Sequence, residues 1–218
     1  MLLESCVERC GGIENIVRVL YPGQRLVLAV ADDSAVNIDS DQMQIEDVLG
    51  ETQVSFPHVQ VTEQQLLDLG KRIASRQKQR AADKCQPVSS VYRPMWHISP
   101  PQGLLNDPNG FIFHQGQYHL FYQWHPFACQ HKDKYWAHLT SKDLVHWHWQ
   151  PIALTPSDWF DAHGVFSGHA VSDGDQLKLF YTGNTRIGTE RDRHTTQCIA
   201  TSSDGIEFHK QGPVIAEL

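Results

Sequence analysis

The spacing of apolar residues changes character near residue 94. Before that point it is mostly helical. Leu2, Leu3, Cys6, Val7 and Cys10 recur at helical spacing, and Gly11-Gly12 ends the run, which predicts a short helix. Residues 13–19 begin a second short element, residues 25–31 read as a strand closed by Asp32-Asp33-Ser34, and residues 45–50 read as another short helix. Residues 1–60 are thus expected to form a small α/β domain. Residues 62–84 are polar and helix-prone, with a partial apolar stripe of Leu66, Leu67, Leu69, Gly70, Ile73 and Ala74. Lys71, Arg72, Arg76, Lys78, Arg80 and Lys84 make this helix basic, as expected for a solvated connector. A helical linker over residues 61–93 follows, with Gln86-Pro87-Val88-Ser89-Ser90 as the boundary.

From Pro94 onward, short apolar and aromatic runs alternate with turn residues. Runs at 110–114 and 118–124 flank Gln115-Gly116-Gln117, and runs at 135–140 and 144–149 flank Ser141-Lys142-Asp143. Runs at 165–172 and 176–182 flank Asp173-Gly174-Asp175, and runs at 197–201 and 206–209 flank residues 202–205. Hairpins at this rhythm predict a mainly β domain over residues 94–218: a sandwich, a barrel or a propeller.

Composition narrows the function classes. The 218 residues are 40% hydrophobic and 20% charged, as in soluble globular chains. The net charge of −7 argues against a nucleic-acid partner. No run of about 18 apolar residues suggests a membrane span, and the N-terminus lacks a basic start and apolar core, so a cytoplasmic location is expected. Five irregularly spaced Cys fit reduced thiols better than a disulfide framework. His146 and His148 have the form His-x-His, yet no further ligand cluster accompanies them. No metal or other cofactor is expected.

The candidate chemistry centres on residues 95–110, Met-Trp-His-Ile-Ser-Pro-Pro-Gln-Gly-Leu-Leu-Asn-Asp-Pro-Asn-Gly. Taken alone, Asn106-Asp107-Pro108-Asn109-Gly110 is a turn signal, and Asp107 either caps that turn or projects a carboxylate for chemistry. With its flanks, the segment resembles the signature of glycoside hydrolase family 32, the β-fructosidases. Phe121-Tyr122-Gln123 and Phe166-Ser167-Gly168 extend that resemblance.

The resemblance implies an incomplete five-bladed β-propeller, about two blades of it within residues 94–218. It implies Asp107 as the nucleophile that attacks a fructosyl anomeric carbon in a retaining double displacement. Asn106, Gln123, Phe166 and Ser167 would bind the sugar, and Trp136 would be a structural and pocket-rim aromatic in contact with substrate, with core packing as the alternative. His131 and Lys134, on a loop that also carries Lys132, would contact substrate. A cationic loop there can hold a phosphate, and the pattern is similar to the bacterial sucrose-6-phosphate hydrolases within the family. The expected partner is therefore a small sugar or sugar phosphate, sucrose 6-phosphate or sucrose. The family's Arg-Asp-Pro motif and its acid/base Glu are expected beyond Leu218; Arg191-Asp192-Arg193 lacks the proline. A non-catalytic sugar-binding or regulatory fragment is the alternative. Residues 11–17 and Arg25-Leu26 resemble an enzyme IIB domain of the sugar phosphotransferase system without its phosphorylated Cys. That leaves residues 1–60 a docking, oligomerisation or sugar-sensing role.

Overall fold

The computed structural model describes residues 2–38, 42–87 and 89–215. Met1, residues 39–41, Val88 and residues 216–218, which fall within the three expected segments, lie outside the described residues.

The N-terminal module is built on an antiparallel sheet. Helix α1 (Leu3–Arg9) buries Leu3, Cys6 and Val7 as its spacing predicts. Strands β1 (Ile16–Leu20), β2 (Leu26–Val30), β3 (Gln44–Val48) and β4 (Glu51–Phe56) form one sheet in the order β1-β2-β4-β3. The element expected at 13–19 is a 3-10 turn followed by β1. The helix expected at 45–50 is β3 and the hairpin turn after it: Ile45 faces Val54, and Val48 faces Glu51. Leu49 and Gly50 both adopt positive φ, +55° and +81°, the conformation that matches the twist of a two-residue hairpin. Cys6 and Cys10 belong to the apolar core of this module. All five cysteines are free thiols.

Helix α2 (Glu63–Lys84) opens on a capping box in which Thr62 and Gln65 exchange side-chain and backbone hydrogen bonds. It is not the solvated connector its charge suggested. Leu66, Leu69 and Ile73 pack into the N-terminal core, while Ala81, with Cys85 just beyond the helix, packs into the β domain. The physical reason is length. A helix of 22 residues spans about 33 Å, enough to lay one end on each unit, and its basic residues help to fasten it: Arg76 donates to the Ile13 carbonyl at 2.8 Å, Arg72 pairs with Glu4 at 2.7 Å and Arg80 lies over the Phe127 ring.

The β domain consists of two antiparallel meanders. The first is β5 (Leu104–His114), β6 (Gln117–His125), β7 (Tyr135–Ser141) and β8 (His148–Trp149), in sequential order. The second is β9 (Val165–Asp173), β10 (Gln176–Ile187), β11 (Asp192–Ser202) and β12 (His209–Ile215), likewise sequential. The first strands of the two meanders, β5 and β9, lie against each other. Phe121, Trp136, Leu154, Phe160, Leu179, Tyr181 and Phe208 fill the space between the sheets. Trp159 packs on this core and on that of the N-terminal module, so the two cores share a seam.

Across that seam Lys210, on β12, is buried among carboxylates. Its ammonium reaches Asp158 at 2.9 Å, Asp161 at 2.6 Å and the Thr155 carbonyl at 2.6 Å, while the Tyr181 hydroxyl donates to Asp161 at 3.0 Å. Helix α2 closes on the same loop at Gly70. A Cβ there would stand 2.0 Å from Asp158 Oδ1.

Candidate active site

The Asn-Asp-Pro-Asn-Gly segment is a distorted part of β5, not a turn. The pairing of β5 with β6 shifts register between Leu105 and Pro108 and again between Asn109 and Ile112. Bulges of this kind re-aim side chains out of the regular alternation. Pro108 has no N–H to give the ladder, which suits it to such a break. Asn109 Nδ2 donates to the Asp107 carbonyl at 2.9 Å and ties the bulge together. Gly110 has φ +58°, and a Cβ on it would meet Phe121 at 2.7 Å, so only glycine lets β5 lie this close to β6. The outcome is an exposed Asp107 carboxylate at the mouth of a cleft of about 1010 Å³.

Three side chains from three strands converge on it. Ser167, on β9, donates to Asp107 Oδ2 at 2.8 Å. Gln123, on β6, donates from Nε2 to Ser167 Oγ at 2.9 Å and accepts from Asn106 Nδ2 at 2.7 Å. The chain Asn106–Gln123–Ser167–Asp107 has one direction: each amide or hydroxyl passes a donor toward the carboxylate. The Ser167 hydroxyl, then the Asn106 amide and the Lys134 charge, hold the Asp107 carboxyl below the usual aspartate range against a weaker opposing effect of burial. Asp107 is therefore an anion at neutral pH.

Lys134 is 3% exposed, and its ammonium has no hydrogen-bond partner in the protein. Burial pushes its pKa down, while the Asp107 charge works in the other direction. Asn106 Oδ1 and Asn184 Oδ1 also lack protein partners and also line the cleft. Buried polar atoms normally find partners. All three residues belong to the wall of one cleft, which makes that wall polar.

Asn106, Asp107, Gln123, His131, Lys134, Phe166 and Ser167 all line this cleft. Trp136 does not. It is fully buried in the core, where its indole donates to the Phe166 carbonyl at 3.2 Å. It props up the β9 backbone behind the cleft and is no rim aromatic. His146 pairs with Asp143 at 2.7 Å. Among the described residues no group of three or more His, Cys, Asp or Glu is placed to hold a metal ion.

The N-terminal module supplies a wall of the cleft that the sequence did not reveal. Arg18, on β1, reaches Glu51 at 2.7 Å, Asp133 at 2.8 Å and the Ala162 carbonyl at 2.7 Å. It fastens the loop carrying His131 and Lys134 to the β3–β4 hairpin. The opposite wall comes from β10 and its hairpin to β11. Thr182, Asn184 and Arg186 alternate onto the cleft face while Tyr181 faces the core. Arg191 and Arg193 join them across the hairpin.

Comparison with known proteins agrees with this geometry. The glycosyl hydrolases family 32 N-terminal domain matches residues 97–218. A protein of Psychromonas ingrahamii named probable sucrose-6-phosphate hydrolase is 57% identical over all of this chain and 41% of its own length. The sucrose-6-phosphate hydrolase of Bacillus subtilis is 49% identical, over 66% of this chain and 30% of its own. The structure of sucrose-6-phosphate hydrolase from Lactobacillus gasseri superposes with a TM-score of 0.57 at 38% identity, covering 72% of this chain and 30% of that one. The chain thus spans about two fifths of the curated relative that it matches throughout. The two meanders fit a propeller-type N-terminal domain. With more than half of its residues matched by that domain and Asp107 presented at its cleft, the chain belongs to glycosyl hydrolase family 32.

Proposed function

We propose that this chain is the nucleophile-bearing part of a retaining β-fructofuranosidase that acts on sucrose 6-phosphate or sucrose. The observation that carries the reading is the Ser167–Asp107 hydrogen bond, which keeps an exposed carboxylate ionised and fixed at the cleft. An Asp107 oxygen would attack the anomeric carbon of the fructosyl unit. The bond from that carbon to the bridging oxygen breaks as the ester forms, and the glucosyl oxygen leaves with a proton from an acid. Water then attacks the ester, with the same acid now acting as base.

That acid comes from outside the described residues. Besides Asp107, the carboxylates lining the cleft are Glu51 and Asp133, and Arg18 holds both. We read the two meanders as two blades of a five-bladed propeller whose central funnel is the cleft. We place the protein in the cytoplasm, where a sugar phosphorylated on uptake would be met. No helix among the described residues is long and apolar enough to cross a membrane. For the N-terminal module, the observed role is to wall the cleft through Arg18. Its likeness to an enzyme IIB domain, and an oligomer formed through it, stand as expectations of the sequence.

The test is covalent trapping with an activated fructosyl donor in protein extended through its reading frame, followed by mass spectrometry of the peptide containing Asp107. Labelling that disappears in Asp107→Asn supports the mechanism. A protein that binds the donor and is never labelled is a sugar-binding module instead.

A further inference from the structure

Arg186 and Arg193 face each other directly across the β10–β11 ladder. Residues opposite one another in an antiparallel pair project from the same face with Cβ atoms roughly 5 Å apart, and like charges so placed destabilise the sheet. A neighbouring carboxylate would normally offset such a pair. None does so here: among the described residues no ion pair involves Arg186, Arg191 or Arg193. The contacts these arginines do make leave their charge in place. Arg186 Nη1 donates to the Arg191 carbonyl at 3.4 Å, and the Arg193 guanidinium lies over the Phe166 ring, 5.2 Å from its centroid.

The charge is also concentrated against the trend of the molecule, whose net charge is −7. All three arginines open onto the cleft that holds Asp107. The cleft's acids are spoken for, since Glu51 and Asp133 are taken by Arg18. On the loop side, Lys134 is buried, 3% exposed, beneath the cleft wall. Lys132 on the loop also lines the cleft, but only on the β10–β11 hairpin do two cations stand directly opposite each other. Phe166 links the two ends of the site: Arg193 covers its ring, and the next residue, Ser167, binds Asp107.

We propose that Arg186 and Arg193, with Arg191 at the rim, form a subsite for a phosphate monoester dianion carried by the substrate. A dianion between the two guanidiniums turns their repulsion into two charge-assisted, fork-like contacts. The subsite deepens the proposed function and rests on it for the identity of the sugar; the anion site itself stands on the arginines alone. It assigns phosphate selection to the hairpin and leaves the His131–Lys134 loop to the sugar and the nucleophile.

The test is titration calorimetry at low salt with sucrose 6-phosphate, sucrose and inorganic phosphate, on the native protein and on Arg186→Gln, Arg193→Gln and the double variant. Native protein is expected to bind sucrose 6-phosphate at least tenfold more tightly than sucrose. Each single variant is expected to lose roughly tenfold for the phosphorylated sugar, with sucrose affinity unchanged. The double variant should no longer distinguish the two sugars, and Arg193→Lys should recover part of the difference. Thermal melting controls for misfolding. Removing one member of a repelling pair should leave the melting temperature equal or higher without ligand, while the stabilisation by phosphate is lost. Undiminished preference for sucrose 6-phosphate in the double variant overturns the assignment, as does native protein that binds no phosphate in any form. If inorganic phosphate binds through the arginines but neither sugar binds, the anion site holds and the fructosidase reading is the one that fails.

Discussion

Ser167 on β9 donates its hydroxyl to Asp107 on β5 at 2.8 Å, so the candidate nucleophile is tuned by a residue from the other meander. Neither meander contains this pair by itself. Removing the hydroxyl in Ser167→Ala raises the Asp107 pKa, because the largest influence holding it down is gone. The acid limb of the pH–activity profile, which reports ionisation of the nucleophile, then moves to higher pH. A drop of roughly ten- to a hundredfold in kcat/KM is expected at neutral pH. An acid limb that stays in place while activity falls would mean that Ser167 acts on the sugar and not on Asp107.

Gly70 tests the contact between α2 and the loop at Asp158. Gly→Ala in the middle of a helix ordinarily stabilises by about 1 kcal/mol. Here the added methyl would collide with a carboxylate that is itself held by Lys210 at 2.9 Å and by the Ser157 hydroxyl at 2.8 Å. Gly70→Ala is expected to lose about 1–3 kcal/mol in urea denaturation. A gain in stability would show that Asp158 moves aside freely.

Lys210 faces two buried carboxylates and is the cation that both of them contact. Burial pushes the Asp161 pKa up even with Lys210 present, and the lysine charge is what opposes that shift. Lys210→Met leaves Asp158 and Asp161 without it, at an expected cost of about 3–5 kcal/mol. Adding Asp161→Asn to Lys210→Met should recover part of the loss. No recovery in the double variant would assign the destabilisation to packing alone.

Three buried histidines predict acid sensitivity. Burial lowers the pKa of His119 to about 4, of His138 to about 3 and of His163 to about 4. His119 and His138 share a hydrogen bond of 3.0 Å between ring nitrogens, which requires one of those nitrogens to be unprotonated. Groups whose folded pKa lies below the unfolded value favour the neutral native state. Their contribution is complete above an unfolded pKa of about 6.5 and is lost as pH falls toward 4 and 3. The melting temperature should fall steadily below pH 6.5, by roughly 5 °C or more at pH 4.5. His138→Phe should flatten that slope. A melting curve equally steep in the variant would move the cause to the carboxylates.

The hairpins were legible because their signals are local: Gln115-Gly116 and Asp173-Gly174 sit at turns between strands that alternate around them. Gln123 was legible for the same reason, since the alternation of β6 turns it toward the cleft. The β3 strand was misread because its side chains are mostly exposed and give no alternation of burial. Ile45 and Val48, three apart, imitate a helix. The Asp107 segment looked like a turn because Asn, Asp, Pro and Gly dominate it; only the close approach of Gly110 to Phe121 shows that it is a bulged strand. Arg18 left no trace in the sequence, since its partners Glu51 and Ala162 are 33 and 144 residues away. Trp136 carried the right family signal but the wrong place, because a residue can support a site from behind while never touching its ligand.

The position of Arg18 also bears on how such a molecule diversifies. One guanidinium ties the β3–β4 hairpin of the N-terminal module to the Asp133 loop and the Ala162 carbonyl. The module is therefore no passive appendage that could be exchanged without consequence for the shape of the cleft. A protein assembled from the two meanders alone would inherit Asp107 and its hydroxyl tether but would have to invent another anchor for that loop. The anchor for this edge of the cleft travels with the module as a cassette, whereas Asp107 and Ser167 travel with the β domain.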